Sequence, residues 1–247
     1  MSGLVVVDPE SISPPEAIPI GGDAFKHHKD QVLLDKAHGD AENLARQFAD
    51  ECRKAAVSAD TRVVTDSDLG VVVDASMLSD LIVAGINVAF EAADAESVSS
   101  LVTHLLRDGA RPMLAVPNSI GIGRGTRTLV AYDGSVAAMR TLQLFAGLQM
   151  NMARETIVVT AHDDTIEARR LSGDAAQYLQ ERGYTAHARQ IEKTGNVADE
   201  IMTLASQVDA GTIVAGAFGQ QSWRDWLIGG TTQRLLERST VPLFLHH

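Results

Sequence analysis

The tetrapeptide Ile-Val-Ala-Gly occurs twice in this chain, at residues 82–85 and again at 213–216. Other blocks repeat with it. "HLLRDGARPMLAVP" from His104 is echoed by "RLLERSTVPLFLHH" from Arg234, "GDAENLARQFADE" from Gly39 by "GDAAQYLQERGY" from Gly173, and "SADTRVV" from Ser58 by "TAHARQI" from Thr185. The blocks keep their order and stay between 127 and 134 residues apart, which indicates a tandem duplication. The expected domains are therefore residues 1–117 and 126–247, with residues 118–125 as a linker inside "PNSIGIGRGTR". Its proline and glycines suit an exposed connection. Those glycines precede a strand instead of following one, so they are not a phosphate-binding fingerprint.

The second repeat resolves into elements by its apolar periodicity. Strands are expected at 127–132, 156–162, 185–193, 212–217 and 242–246, and helices over "SVAAMRTLQLFAGLQ", "DAAQYLQERG", "VADEIMTLASQV" and "TQRLLERS". Five strands alternating with four helices predict an α/β fold, an open, Rossmann-like parallel sheet covered on both faces. With strand order 3-2-1-4-5, ligands bind beyond the carboxyl ends of strands one and four, where the order reverses.

Those two strand ends carry the unusual residues. Strand one ends in Asp133, Gly134 and Ser135; strand two ends near Ala161; strand four ends in "AGAFG", with Gly216 and Gly219. The last helix opens at Gly229, Gly230, Thr231 and Thr232. Its first amides have no intrahelical partner and its dipole favours an anion, so these four residues are candidates to receive phosphate oxygens. The threonine hydroxyls suit either phosphate or the capping of the helix. A carboxylate at Asp133 repels phosphate and is better suited to an adenine amino group or a ribose hydroxyl. Glycines that serve only tight turns, and a Gly-Gly-Thr start that is only a cap, are the plainer alternative.

Composition excludes other classes. A formal charge of -11 without a clustered basic face argues against nucleic acid. No run approaches the roughly 18 apolar residues of a membrane span and no secretory leader opens the sequence, so a cytoplasmic protein without a membrane is expected. The single cysteine, Cys52, reads as a partly buried thiol. His162, Asp163 and Asp164 lack a further ligand at metal spacing and read as a solvated loop. Trp223 and Trp226 read as packing anchors, and His27 and His28 as part of an exposed helix face.

The spacing Gly216, two residues, Gly219, nine residues, Gly229, with "VAYDGS" opening the domain and "VPLFL" closing it, resembles the universal stress protein family. "AGAFGQQSWRDWLIGGTTQRLL" is similar to the bacterial tandem-domain branch. It departs from that branch at Gln220, where the branch has His, and at Gly230, where the usual ATP motif has Ser or Thr. The resemblance implies a stress-response protein binding an adenine nucleotide, ATP accompanied by magnesium if a triphosphate. Asp133, Gly216, Gly219, Gly229, Gly230 and Thr231 would surround it. It also implies an internal pseudo-dimer, open to further homo-dimerisation, in which residues 113–116 lie beside residues 243–245. No nucleophile, general base or P-loop lysine accompanies the motif, so binding is expected in place of catalysis. A slow nucleotide-hydrolysing or nucleotidyl-transfer enzyme, or an interaction module with an empty crevice, are the contrasting readings.

The first repeat differs. After "DLIVAGI" it has no glycine-spaced loop, and Glu91, Asp94 and Glu96 stand where an anion would sit, so no nucleotide is expected there. Its opening resembles the second strand of the family domain, leaving the first strand and helix without a counterpart. Either Leu4 to Val7 takes another place in the sheet, or the start lies within a longer reading frame.

Overall fold

A computed structural model describes residues 1–14, 16, 23–86, 100–117, 125–150, 155–191, 195–217 and 230–247. These form two compact units, one up to Asp74 and one from Ala75 onward.

The first unit is a single strand-helix-strand arrangement. β1 (Ser2–Val7) pairs in parallel with β2 (Asp60–Thr65), from Ser2 opposite Asp60 to Val7 opposite Thr65. The short α1 (Pro9–Ile12) and the 32-residue α2 (Asp23–Lys54) connect them. α2 buries Ala41, Ala45 and Cys52 against the pair, whereas its amino-terminal half, with Phe25, His27 and His28, is exposed. Leu4 to Val7 thus lies beside β2, in a sheet of two strands. Asp8 caps α1 and accepts the Ser67 hydroxyl at 2.6 Å, tying together the carboxyl ends of the two strands. α3 (Gly70–Ser76) follows.

The second unit is built on a seven-stranded sheet. Its strands are β3 (Ile82–Gly85), β4 (Met113–Val116), β5 (Arg127–Ala131), β6 (Glu155–Ala161), β7 (Ala186–Ile191), β8 (Ala210–Gly216) and β9 (Leu243–His246). The spatial order is β3-β4-β9-β8-β5-β6-β7. The last five strands reproduce the order expected for the second repeat. All neighbours are parallel except β4 and β9, which run antiparallel with Met113 opposite Leu245 and Ala115 opposite Leu243. That is the pairing the family resemblance implies for these two segments. It places both strands inside one continuous sheet, because each covers the other's edge.

The connecting helices are α4 (Ser100–Asp108), α5 (Val136–Gly147), α6 (Thr165–Gln180), α7 (Val197–Gln207) and α8 (Gly230–Arg238). α6 begins nine residues before the segment whose periodicity marks it, because Asp164 caps it by accepting from the amides of Ile166 and Glu167. One sheet face presents Val130, Val158, Val214 and Phe244 to Leu142 and Phe145 of α5 and to Ala175 and Leu179 of α6. Phe145 stands edge-on to Phe244 with ring centroids 5.6 Å apart. By the pleat, Leu129, Ile213 and Leu243 face the other way, and all are fully buried, so both faces are covered.

Candidate functional site

The site begins where β5 ends. Tyr132 continues the pairing by donating its amide to the Val159 carbonyl, and the Thr160 hydroxyl donates to the Tyr132 carbonyl at 2.7 Å. The chain then turns sharply. The Ser135 amide donates to one oxygen of Asp133 at 2.9 Å, and Gly134 adopts a φ of 76°, a left-handed conformation that a side chain resists. Ser135 closes the turn as the cap of α5, its hydroxyl oxygen accepting from the Ala138 amide. The Asp133 carboxylate is left exposed at the rim. Burial pushes the Tyr132 phenol up, with the charges of Asp133 and Asp174 adding to the shift.

Gly216 ends β8 directly against that turn. A Cβ at this position would lie 2.7 Å from the Ala138 nitrogen and 2.9 Å from the Ala137 carbonyl carbon, so glycine is what lets α5 start here. The Gly216 carbonyl, in turn, accepts the hydroxyl of Thr232, which is almost fully buried in the first turn of α8. The predicted residues Asp133, Gly134, Ser135, Gly216 and Thr232 are thereby brought to one rim of the sheet, and Ala161 ends β6 at the same rim.

Thr231 and Gly230 are exposed at the start of α8, and a Cβ on Gly230 would have open space around it. Gly219, Gly229, Gln220, Trp223 and Trp226 lie outside the described residues, as do Glu91, Asp94 and Glu96 of the first repeat. α8 is held in place by Arg234, which grips Asp199 of α7 through two bonds of 2.7 and 2.8 Å. The Arg234 guanidinium beside Asp199 holds its carboxyl below the usual range. Sequence inspection missed Ala137 and Ala138 as site-shaping residues; two small residues in the first turn after a serine cap were the available signal.

His162 and Asp164 lie beside this rim with other work. The Asp164 amide donates to the His162 ring, and the Asp164 side chain caps α6. Among the described residues the arrangement offers an exposed helix start at Gly230 and Thr231 and an exposed carboxylate at Asp133.

The universal stress protein family model matches residues 126–247. Residues 126–247 are a universal stress protein domain. Universal stress protein Slr1230 of Synechocystis is 23% identical over 141 residues, covering 56% of this chain and 48% of that protein. The chain thus spans about half the length of this curated relative. Among solved structures, a universal stress protein from Archaeoglobus fulgidus DSM 4304 matches with a TM-score of 0.69 at 20% identity, over 99% of this chain and 84% of its own. Another, from Pseudomonas aeruginosa UCBPP-PA14, matches with a TM-score of 0.59 at 19% identity, over 99% and 92% respectively. At such identities these structures establish the fold: α/β, with parallel-dominated sheets of the universal stress protein type across the chain. Among the described residues, no helix is long and apolar enough to cross a membrane.

Proposed function

We propose that the universal stress protein domain binds an adenine nucleotide at the carboxyl ends of β5 and β8, and that occupancy sets conformation or partner binding in a stress response. The supporting observation concerns the helix starts at the ligand-facing rim. α5, α6 and α7 are each capped by a side chain of their own, Ser135, Asp164 and Asn196. α8 follows Gly229, which has no side-chain oxygen to offer. Its first amides suit an external acceptor, and phosphate is the acceptor such a terminus favours.

Gly230 and Thr231 would supply amides, and Thr231 a hydroxyl, while glycines at 219 and 229 would leave the backbone free to approach. Thr232 contributes its position in the helix, since its hydroxyl is committed to Gly216. Asp133 belongs at the adenosine end, with one oxygen held by Ser135 and the carboxylate exposed. If the nucleotide is a triphosphate, magnesium would arrive on its oxygens. The same reading takes residues 1–117 and 126–247 as the halves of an internal pseudo-dimer, with the antiparallel β4–β9 contact as its support.

Mass spectrometry of small molecules released from freshly purified, denatured protein tests the proposal. An adenine nucleotide at near-stoichiometric yield, with no steady-state turnover on adding magnesium and ATP, is the expected result. No released nucleotide, together with no thermal stabilisation by millimolar magnesium-ATP, overturns it.

A further inference from the structure

β3 and β8 share the tetrapeptide Ile-Val-Ala-Gly, and the structure gives them the same backbone bonding on one side. Ile82 donates to the Pro112 carbonyl and Ile86 to that of Val116; correspondingly, Ile213 donates to Pro242 and Ala217 to His246. Alternation along a strand then directs the amides and carbonyls of Val83 and Gly85, like those of Val214 and Gly216, to the opposite edge. In β8 that edge is filled by β5, with Val130 opposite Val214. In β3 it is the end of the sheet: among the described residues no strand lies beyond it.

The side chains record the same difference. Val214 is 1% exposed, beneath the elements that β5 and α5 complete, whereas Val83 is 63% exposed. Gly216 is a glycine because the first turn of α5 packs on it, and β3 keeps a glycine, Gly85, at the matching place. β3 therefore retains the features that in β8 serve a parallel strand and the helix that follows it. A bare edge of this kind is the usual acceptor for strand addition.

We infer that the outer edge of β3 is an acceptor for a parallel strand-turn-helix segment of another polypeptide, with the chemistry of β5 and α5. That means an apolar strand of about five residues, a tight turn and an amphipathic helix whose first turn is small enough to sit on Gly85. The inference is independent of nucleotide binding.

The probe is a synthetic peptide of the sequence of residues 125–147, added to the full chain, with a scrambled peptide as control. Amide exchange at Val83 and Gly85 is expected to slow at least tenfold with the peptide and not with the control, and the melting temperature to rise with peptide concentration. Val83→Pro removes an N–H that faces outward, not one that bonds β4, and should abolish both effects. Val83→Lys places a charge under the incoming helix; it should weaken the peptide at least tenfold, and it serves if the proline variant does not fold. Three outcomes overturn the inference: slow exchange at Val83 and Gly85 without peptide, no added protection at saturating peptide, or a concentration-dependent dimer that Val83→Lys dissolves.

Discussion

The Thr232 hydroxyl donates to the Gly216 carbonyl at 3.1 Å, joining the first turn of α8 to the end of β8. Because Thr232 is buried, removing that hydroxyl leaves an acceptor without its partner. Thr232→Val should cost about 1–2 kcal/mol in urea unfolding, and Thr232→Ser distinctly less. A loss in Thr232→Ser with none in Thr232→Val would mean that the methyl group, not the bond, holds the helix.

Gly216 and Gly230 make opposite predictions. Gly216→Ala drives a Cβ into the backbone of Ala137 and Ala138 and should destabilise the domain by about 2–3 kcal/mol. Gly230→Ser meets open space, supplies a hydroxyl at the helix start and should leave stability equal or better while tightening magnesium-ATP. Calorimetric titration of the serine variant checks the second half; unchanged affinity would show that no phosphate oxygen reaches residue 230.

Asp133 serves both the turn and the proposed nucleotide. Asp133→Asn keeps an oxygen for the Ser135 amide but loses the charge, whereas Asp133→Ala loses both. The alanine variant should weaken adenosine and ATP alike, with the asparagine variant between it and the parent. A loss confined to the triphosphate would put Asp133 at the wrong end of the ligand.

His246 makes stability depend on acid. Burial, then the positive charges of His247 and Arg140, depress its pKa from 6.5 to about 4, against a bond to the Arg111 backbone that favours the charged form. The unfolded chain therefore takes up a proton before the folded one does. Stability is full above about pH 6.5 and falls as the pH drops towards 4, by on the order of 2 kcal/mol. His246→Gln should flatten urea midpoints measured between pH 4.5 and 7; an unchanged slope would assign the effect to other groups.

Much of this was legible in the sequence, and the failures have a common cause. Apolar periodicity found the five strands of the second repeat, whose faces are buried at residues such as Leu129, Val130 and Phe244. It set no bounds for α2, whose amino-terminal half carries no apolar stripe; Phe25 is 76% exposed. It placed the start of α6 too late because Ile166, at 79% exposure, gives no stripe, although the Asp164 cap was there to be read. At the site, Gly216 and the Asp133 turn followed from strand ends and glycines. The bond from Thr232 to Gly216 did not, because the same threonine suits a cap, a phosphate or a neighbouring carbonyl, and only the tertiary fold chooses.

The antiparallel seam between β4 and β9 has a consequence for direction. β3 and β4 point one way and the five strands from β9 to β7 the other, so a single hydrogen-bonded sheet has two rims of opposite polarity. β3 and β8 are three strand spacings apart, about 14 Å, yet their glycines face opposite horizons. Visitors to the two glycine-bearing ends would approach from opposite sides without crowding, while leaning on the same continuous backbone.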